Sequence, residues 1–314
     1  TANWLMTVIF KNEVPYVEGI NLNELVKLVP SPFYIYSQKS ISEAYSEINN
    51  NLKKKIFYSI KANSNQAIIA FINSLGAGAD VVSNEEMQRA LRAGIKPNQI
   101  IYEGVGKSQS DIVDAIGQNI RQINVESLEE LLLINTTGKS LNKKVNIGLR
   151  LNPDIDTDSH AKISTGRKTD KFGIDFDQLP KICSLIKSLN NICLKGISCH
   201  IGSQIFELQI FENTFTRMKK GIEIFNSHNL EIKHLNLGGG FGISYDNSEK
   251  NFNFYNFSNL INKFFPDPNF DISFEPGRYL VAKAGTLITK IITTKINGKI
   301  NYLITDAGMQ TFLR

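Results

Sequence analysis

In the stretch Lys55 to Gln66, Ile56, Phe57, Tyr58, Ser59 and Ile60 read as a buried strand, and a lysine, Lys61, follows directly. An ammonium taken out of water is costly enough that such a lysine lies at the surface, finds a counter-charge, or gives up its proton. Other reactive types recur downstream, each close to the end of a short apolar run. They are Asp80, Glu126, Arg150, His200, the glycines Gly238, Gly239 and Gly240, and Glu275 with Gly277 and Arg278. Singly, each has a structural explanation: a satisfied core histidine, an arginine paired to an acid, a glutamate in a cap. Together they suit a reaction on an anion and a carbonyl. A glycine turn brings successive backbone N–H groups against a phosphate, and the Glu275-Pro276-Gly277-Arg278 turn adds others. A lysine in low-dielectric surroundings becomes an amine nucleophile. A phosphate-bearing aldehyde meets both demands, and pyridoxal 5'-phosphate is the aldehyde that forms a Schiff base with such a lysine. On that reading Lys61 is neutral and covalently occupied.

The elements that must carry these groups are legible as eight short runs bounded by turn residues, at 56–62, 78–83, 100–104, 122–127, 145–152, 195–202, 234–241 and 271–278. Helix-period segments lie between most of them, entered through Ser or Asn and left near Gly. Strand-helix alternation of this kind implies parallel strands with crossover helices, and eight repeats predict an α/β fold, a (β/α)8 barrel of the TIM type. The candidate residues then gather at the C-terminal rim, with both anion-binding turns at strands seven and eight. A doubly wound open sheet fits less well, because its glycine fingerprint would follow the first strand rather than the seventh. The two flanks read as β-structure, and Asn297-Gly298 between alternating runs is a hairpin signal. We expect residues 1–34 and 281–314 to contribute to one small β-domain, incomplete at its C-terminal end, interrupted by a cofactor-binding barrel over 35–280.

Composition excludes several classes. A chain of 314 residues with 42% hydrophobic content supports a sizeable core, and a net charge of +5 is too mild to imply nucleic acid. The basic run Lys53-Lys54-Lys55 reads as a solvated face. Cys183, Cys193 and Cys199 are odd in number and lack CxxC spacing, and the four histidines lack metal-ligand spacing, so neither a disulfide framework nor a metal site is expected. No run is long enough to span a bilayer, and the opening residues lack the features of a secretory signal, so the expected compartment is the cytoplasm. A first residue other than Met, and a last stretch without helix or tail, suggest part of a longer protein.

The motifs YSIKAN (58–63), HIGSQ (200–204), LGGGFG (237–242), EPGR (275–278) and TDAGM (305–309) together resemble the diaminopimelate decarboxylase family, which belongs to the alanine-racemase-like, fold type III group of pyridoxal phosphate enzymes. The likeness runs in order over nearly the whole chain. It implies decarboxylation of meso-2,6-diaminopimelate to L-lysine and carbon dioxide, the last step of lysine biosynthesis, by a homodimer with shared active sites. It also implies roles. Lys61 attaches the cofactor; Gly238, Gly239 and Gly240, Ser203, and the backbone around Glu275, Gly277 and Arg278 hold its phosphate. His200 stacks on the pyridine ring, Asp80 and Arg150 give polar support, and Glu275 faces the pyridine nitrogen, where racemases of this fold carry an arginine. Arg278 and Arg314 read the substrate carboxylate. His160 and Lys171 fall in a loop similar to the family's mouth segment.

Two departures accompany the resemblance. Gln310-Thr311 stands where the family continues with Asn-Asp, and the family's downstream cysteine, glutamate and tyrosine are absent from these 314 residues. The expectation is therefore a chain that builds the cofactor pocket and decarboxylates poorly by itself. Cys199, beside His200 on a strand, should face away from the site. The alternatives are an ornithine or arginine decarboxylase, for which Gln204 is out of place, a non-catalytic pyridoxal phosphate carrier, and a homologue that has shed activity.

Overall fold

The computed structural model describes residues 8–155, 166–167, 170–245 and 251–312. Eight parallel strands close into a barrel: Lys55–Ser59, Gly78–Val81, Ile100–Tyr102, Gln122–Val125, Val145–Arg150, Ile192–Ser198, His234–Asn236 and Asp271–Phe274. They neighbour one another in chain order, and the eighth returns to the first through Ser273 beside Lys55 and Phe274 beside Ile56. The strands read as apolar runs because both of their faces are covered. Phe57, Ile101, Ile123, Ile147, Ile197, Leu235 and Ile272 are all buried.

Four crossover helices start where the sequence places a cap. The side chains of Asn65, Ser83, Ser108 and Ser127 each accept a backbone N–H of the helix they open, and Ser108 forms a reciprocal capping box with Asp111. The exits use glycine only in part: Gly76 and Gly94 have positive φ after two helices, but Asn119 and Asn142 take the left-handed position after the next two.

Each strand is shorter at its C-terminal end than its apolar run suggested. The first stops at Ser59 and gives way to a 3-10 turn over Ile60–Ala62, so Lys61 rides on the turn and not on the ladder. The seventh stops at Asn236, where Gly238 (φ 69°) and Gly240 (φ 83°) turn the backbone out of the sheet. Lys61, Glu103, Glu126, His200 and Glu275 consequently sit one or two residues past the strand ends. Gly148 on the fifth strand leaves room inside the barrel: a Cβ there would run into the side chains of Asn124 and Gln122.

The chain divides into two compact units, Tyr45–Tyr279, which holds the barrel, and Thr1–Ala44 with Leu280–Arg314. In the second, Ile9–Lys11, Val14–Val17 and Ile20–Asn21 form an antiparallel sheet, and Phe33–Tyr36 pairs with Gly285–Ile288. Ile291–Asn297 and Ile300–Thr305 form the expected hairpin. Its turn residues are Gly298 and Lys299, one position later than the dipeptide signal, with Gly298 at φ 62°. No helix among the described residues is long and apolar enough to cross a membrane.

Candidate active site

A cavity of about 270 Å³ opens at the C-terminal rim of the barrel, bordered by Lys61, His200, Ser203, Gly240, Glu275 and Arg278. Lys61 reaches it with a half-exposed side chain whose Nζ lies 3.3 Å from Asp80 Oδ2. Asp80 is buried at the end of the second strand, directly beside Ser59, and the Ser59 hydroxyl donates to the same oxygen at 2.5 Å. Asp80 Oδ1 accepts no hydrogen bond from the described residues. The charge of Asp80 pushes the Lys61 pKa up, against the opposing effect of burial, and Glu275 and Glu103 add to the rise. Of the three fates open to it, this lysine has found a counter-charge, Asp80, at 3.3 Å.

Arg150, the last residue of the fifth strand, is buried behind the cavity. Its Nη1 lies 2.9 Å from Glu126 Oε1 and 3.7 Å from Glu103 Oε2, and its guanidinium covers the Phe172 ring at 4.8 Å. Glu126 is held in turn by the Gly173 N–H, which donates to Oε2 at 2.6 Å. Lys107 ties the same wall together. Its buried ammonium donates to the Gly104 carbonyl at 2.6 Å, the Asn124 carbonyl at 2.7 Å and Glu130 Oε1 at 2.6 Å, so all three donors are satisfied.

The opposite wall is the glycine turn. The Gly238 N–H donates to Asn236 Oδ1 at 2.9 Å and the Gly239 N–H points at His200 Nδ1 at 3.4 Å, which leaves Gly240 as the glycine of the turn that borders the cavity. A Cβ on Gly240 would strike the Gly202 carbonyl. The next residue, Phe241, anchors the turn in an aromatic cluster, with Phe252 at 5.0 Å, Phe254 at 5.1 Å and Phe257 at 5.4 Å between ring centroids. Burial, reinforced by the charges of Lys61 and Arg150, holds the His200 imidazole well below its usual pKa, so it is neutral. Glu275 receives the Asn236 amide at 2.5 Å. Burial first, then the charges of Asp80 and Glu103, push its carboxyl well above the usual range.

Arg278 stands at the rim with Nη1 3.3 Å from the Tyr245 hydroxyl, and Gly277 and Ser203 border the same cavity. Gln204 has a backbone role: its Oε1 accepts the Ile243 N–H at 2.9 Å and its Nε2 donates to the Ile243 carbonyl at 3.0 Å. Cys199 is buried, and that burial pushes its thiol up to about 12. Lys171 is exposed, with Nζ 5.4 Å from the Phe172 ring centre. His160 and Arg314 lie outside the described residues. Among the described residues, no three His, Cys, Asp or Glu side chains are placed to hold a metal ion.

Sequence reasoning overlooked Glu103 and Asn236. Glu103 follows the third strand as directly as Glu126 follows the fourth, so its position was a signal left unused. For Asn236, only its place two residues before the glycine turn could have drawn attention.

Residues 38–282 match the family described as pyridoxal-dependent decarboxylase, pyridoxal binding domain. The chain is 35% identical over 300 residues to diaminopimelate decarboxylase of Aquifex aeolicus, covering 95% of this chain and 71% of that protein. It is similar to the crystal structure of diaminopimelate decarboxylase from Helicobacter pylori complexed with L-lysine, with a TM-score of 0.89, 36% identity and coverage of 94% of this chain and 75% of that one. The M. jannaschii diaminopimelate decarboxylase in co-complex with L-lysine aligns with a TM-score of 0.91 and 30% identity, over 99% of this chain and 75% of that one.

Proposed function

Because the chain belongs to the pyridoxal-dependent decarboxylases, we propose that it converts meso-2,6-diaminopimelate to L-lysine and carbon dioxide with pyridoxal 5'-phosphate attached at Lys61. The observation that carries this reading is the shared cavity. Lys61, paired to Asp80 at 3.3 Å, borders the same space as His200, Ser203, Gly240, Glu275 and Arg278.

The residues fit the cofactor. An amine reaches the cavity, Gly240 leaves space where a side chain would collide with the Gly202 carbonyl, and a buried acid and a neutral imidazole border the same space. When bound, pyridoxal phosphate supplies the electron sink that lets an amino acid lose its α-carboxylate. Asp80 orients Lys61 and holds its positive charge, so the lysine must pass one proton on before its nitrogen is nucleophilic. Glu275 carries a proton that it would share with the cofactor's ring nitrogen, and the negative charge of its carboxylate there would favour decarboxylation. His200, being neutral, offers a flat face without adding charge. Gly240, with Ser203 and the backbone at Gly277 and Arg278, would hold the phosphate, and Gly238 and Gly239 shape the turn. Arg278 and Arg314 would read the distal carboxylate through fork geometry.

The functional division is a cofactor-binding barrel over 35–280 and a β-domain from 1–34 and 281–314. The active form is a cytoplasmic homodimer whose sites are shared between subunits. The test is borohydride reduction of the pyridoxal phosphate-loaded protein, peptide mapping, and measurement of carbon dioxide and lysine. The label belongs on Lys61, with turnover of meso-diaminopimelate exceeding that of ornithine or arginine. A label elsewhere, or faster turnover of ornithine, would sink this reading.

A further inference from the structure

Polar side chains run through the barrel interior from the site to the opposite end. Asn124 Nδ2 donates to Glu103 Oε1, Gln122 Nε2 donates to Asn124 Oδ1 at 2.6 Å, and His234 Nδ1 meets Gln122 Oε1 at 2.9 Å. His234 Nε2 lies 3.8 Å from Asp271 Oδ2, which accepts Lys55 Nζ at 2.7 Å and the Arg121 guanidinium. Glu103, Gln122 and Asn124 are all buried. Burial, aided by the charge of Arg121, keeps His234 neutral, so with its proton on Nδ1 every bond in the thread donates towards Glu103.

Such a thread is costly wherever a member is left unpaired, and an apolar core would close a barrel without it. Its upper end is specific. Glu103 Oε1 takes the last donor, while Oε2 accepts no hydrogen bond from the described residues and lies 3.7 Å from Arg150. Burial pushes the Glu103 carboxyl up to about 7 against the opposing charge of Arg150, so its negative charge is developed above that pH; the other charged groups facing this part of the site are Asp80, Glu126, Lys61 and Glu275. Arg150 thus lies between two carboxylates, one fixed by the Gly173 N–H and one fixed by the thread.

We propose that Glu103 is a positioning residue for the lysine–cofactor linkage: a carboxylate anchored by Asn124, Gln122 and His234 that balances Arg150 and so sets how much positive charge the Lys61–Asp80 pair can hold. This rests on the reading that Lys61 carries pyridoxal phosphate. Without the Glu103 charge, more of the Arg150 charge is left uncompensated, and the Lys61 nitrogen holds its proton less firmly.

The test loads wild type, Glu103→Gln, Glu103→Asp and Gln122→Met with pyridoxal phosphate and titrates the visible absorbance of the bound cofactor against pH, with borohydride mapping of each. Glu103→Gln should lower the titration midpoint by about one pH unit, the low end of the effect of a nearby opposite charge. Glu103→Asp should restore most of it. Gln122→Met keeps Glu103 but cuts the thread, so it should move the midpoint the same way by less; it also carries the test should Glu103→Gln fail to fold. A midpoint unmoved in the folded variants, with the label still on Lys61, overturns the proposal, even where the melting temperature falls. A label away from Lys61 overturns the functional reading beneath it, and this inference with it.

Discussion

Asp80 Oδ2 accepts the Ser59 hydroxyl at 2.5 Å and lies 3.3 Å from Lys61 Nζ, so one carboxylate oxygen serves both the last residue of the first strand and the lysine on the turn that follows. The serine fixes where the carboxylate stands, and the carboxylate fixes which charge state of the lysine is favoured.

Asp80→Asn should therefore lower the Lys61 pKa, because its largest raising influence is gone while burial remains. We expect a fall of about one to three units. The rate at which pyridoxal phosphate attaches, followed by absorbance across a pH series, should reach its plateau at lower pH in the variant. An unshifted profile would contradict the pairing.

Glu275 binds its proton more tightly folded than unfolded. Its contribution to stability is thus fullest below the ordinary glutamate value near 4.3 and is lost as pH rises towards the folded value. Glu275→Gln removes that loss. Above neutral pH the variant should be more stable by about 0.5–2 kcal/mol, as engineered relief at functional sites commonly is. Decarboxylation should fall by roughly 10²–10⁴, the range of a missing acid–base group. Calorimetry and carbon dioxide release measure the two halves.

His234 is pushed down to about 4, by burial first and by Arg121 next. The unfolded chain takes up this proton near 6.5, so the stabilisation is complete above that pH and is lost as pH falls from about 6.5 towards 4. His200, also held well below its usual value by burial, adds to the same decline. Urea midpoints across that window should drop in wild type and drop less in His234→Gln. The His234 ring resonances in NMR should titrate near the lower limit.

Phe241 is 2% exposed and packs against the rings of Phe252, Phe254 and Phe257 behind the glycine turn. Phe241→Ala should cost about 3–5 kcal/mol of stability, the usual range for a core aromatic. Gly240→Ala acts locally: its φ of 83° and the Gly202 carbonyl oppose a Cβ. It should weaken cofactor retention on dialysis more than it lowers the urea midpoint. Equal losses in both would deny the turn a binding role.

The barrel was legible because its strands and most of its helices signal themselves locally. Runs of apolar residues, and Ser83, Ser108 and Ser127 placed before helix-period segments, suffice to order the strands. Where strands end was less legible, since apolar character continues past the point at which a turn such as Ile60–Ala62 or Gly238 leaves the ladder. The interior thread was illegible for another reason. Gln122 and Asn124 sit in an ordinary-looking strand, and their chemistry depends on His234, 112 residues from Gln122 in sequence, and on Glu103. Charge states follow the same logic: the fate of Lys61 was decided by Asp80, a neighbour only in the folded chain.

The three acceptors around the Lys107 ammonium come from the loop before it, the end of the fourth strand and the helix beyond. They brace the half of the rim carrying Glu103 and Glu126 from within, where Glu103 Oε2 still accepts no hydrogen bond from the described residues. The ordering entropy of ligand capture then falls chiefly on the other half, where Arg278 and Tyr245 reach into solvent. Differences in substrate preference within this architecture should accordingly accumulate on that softer side.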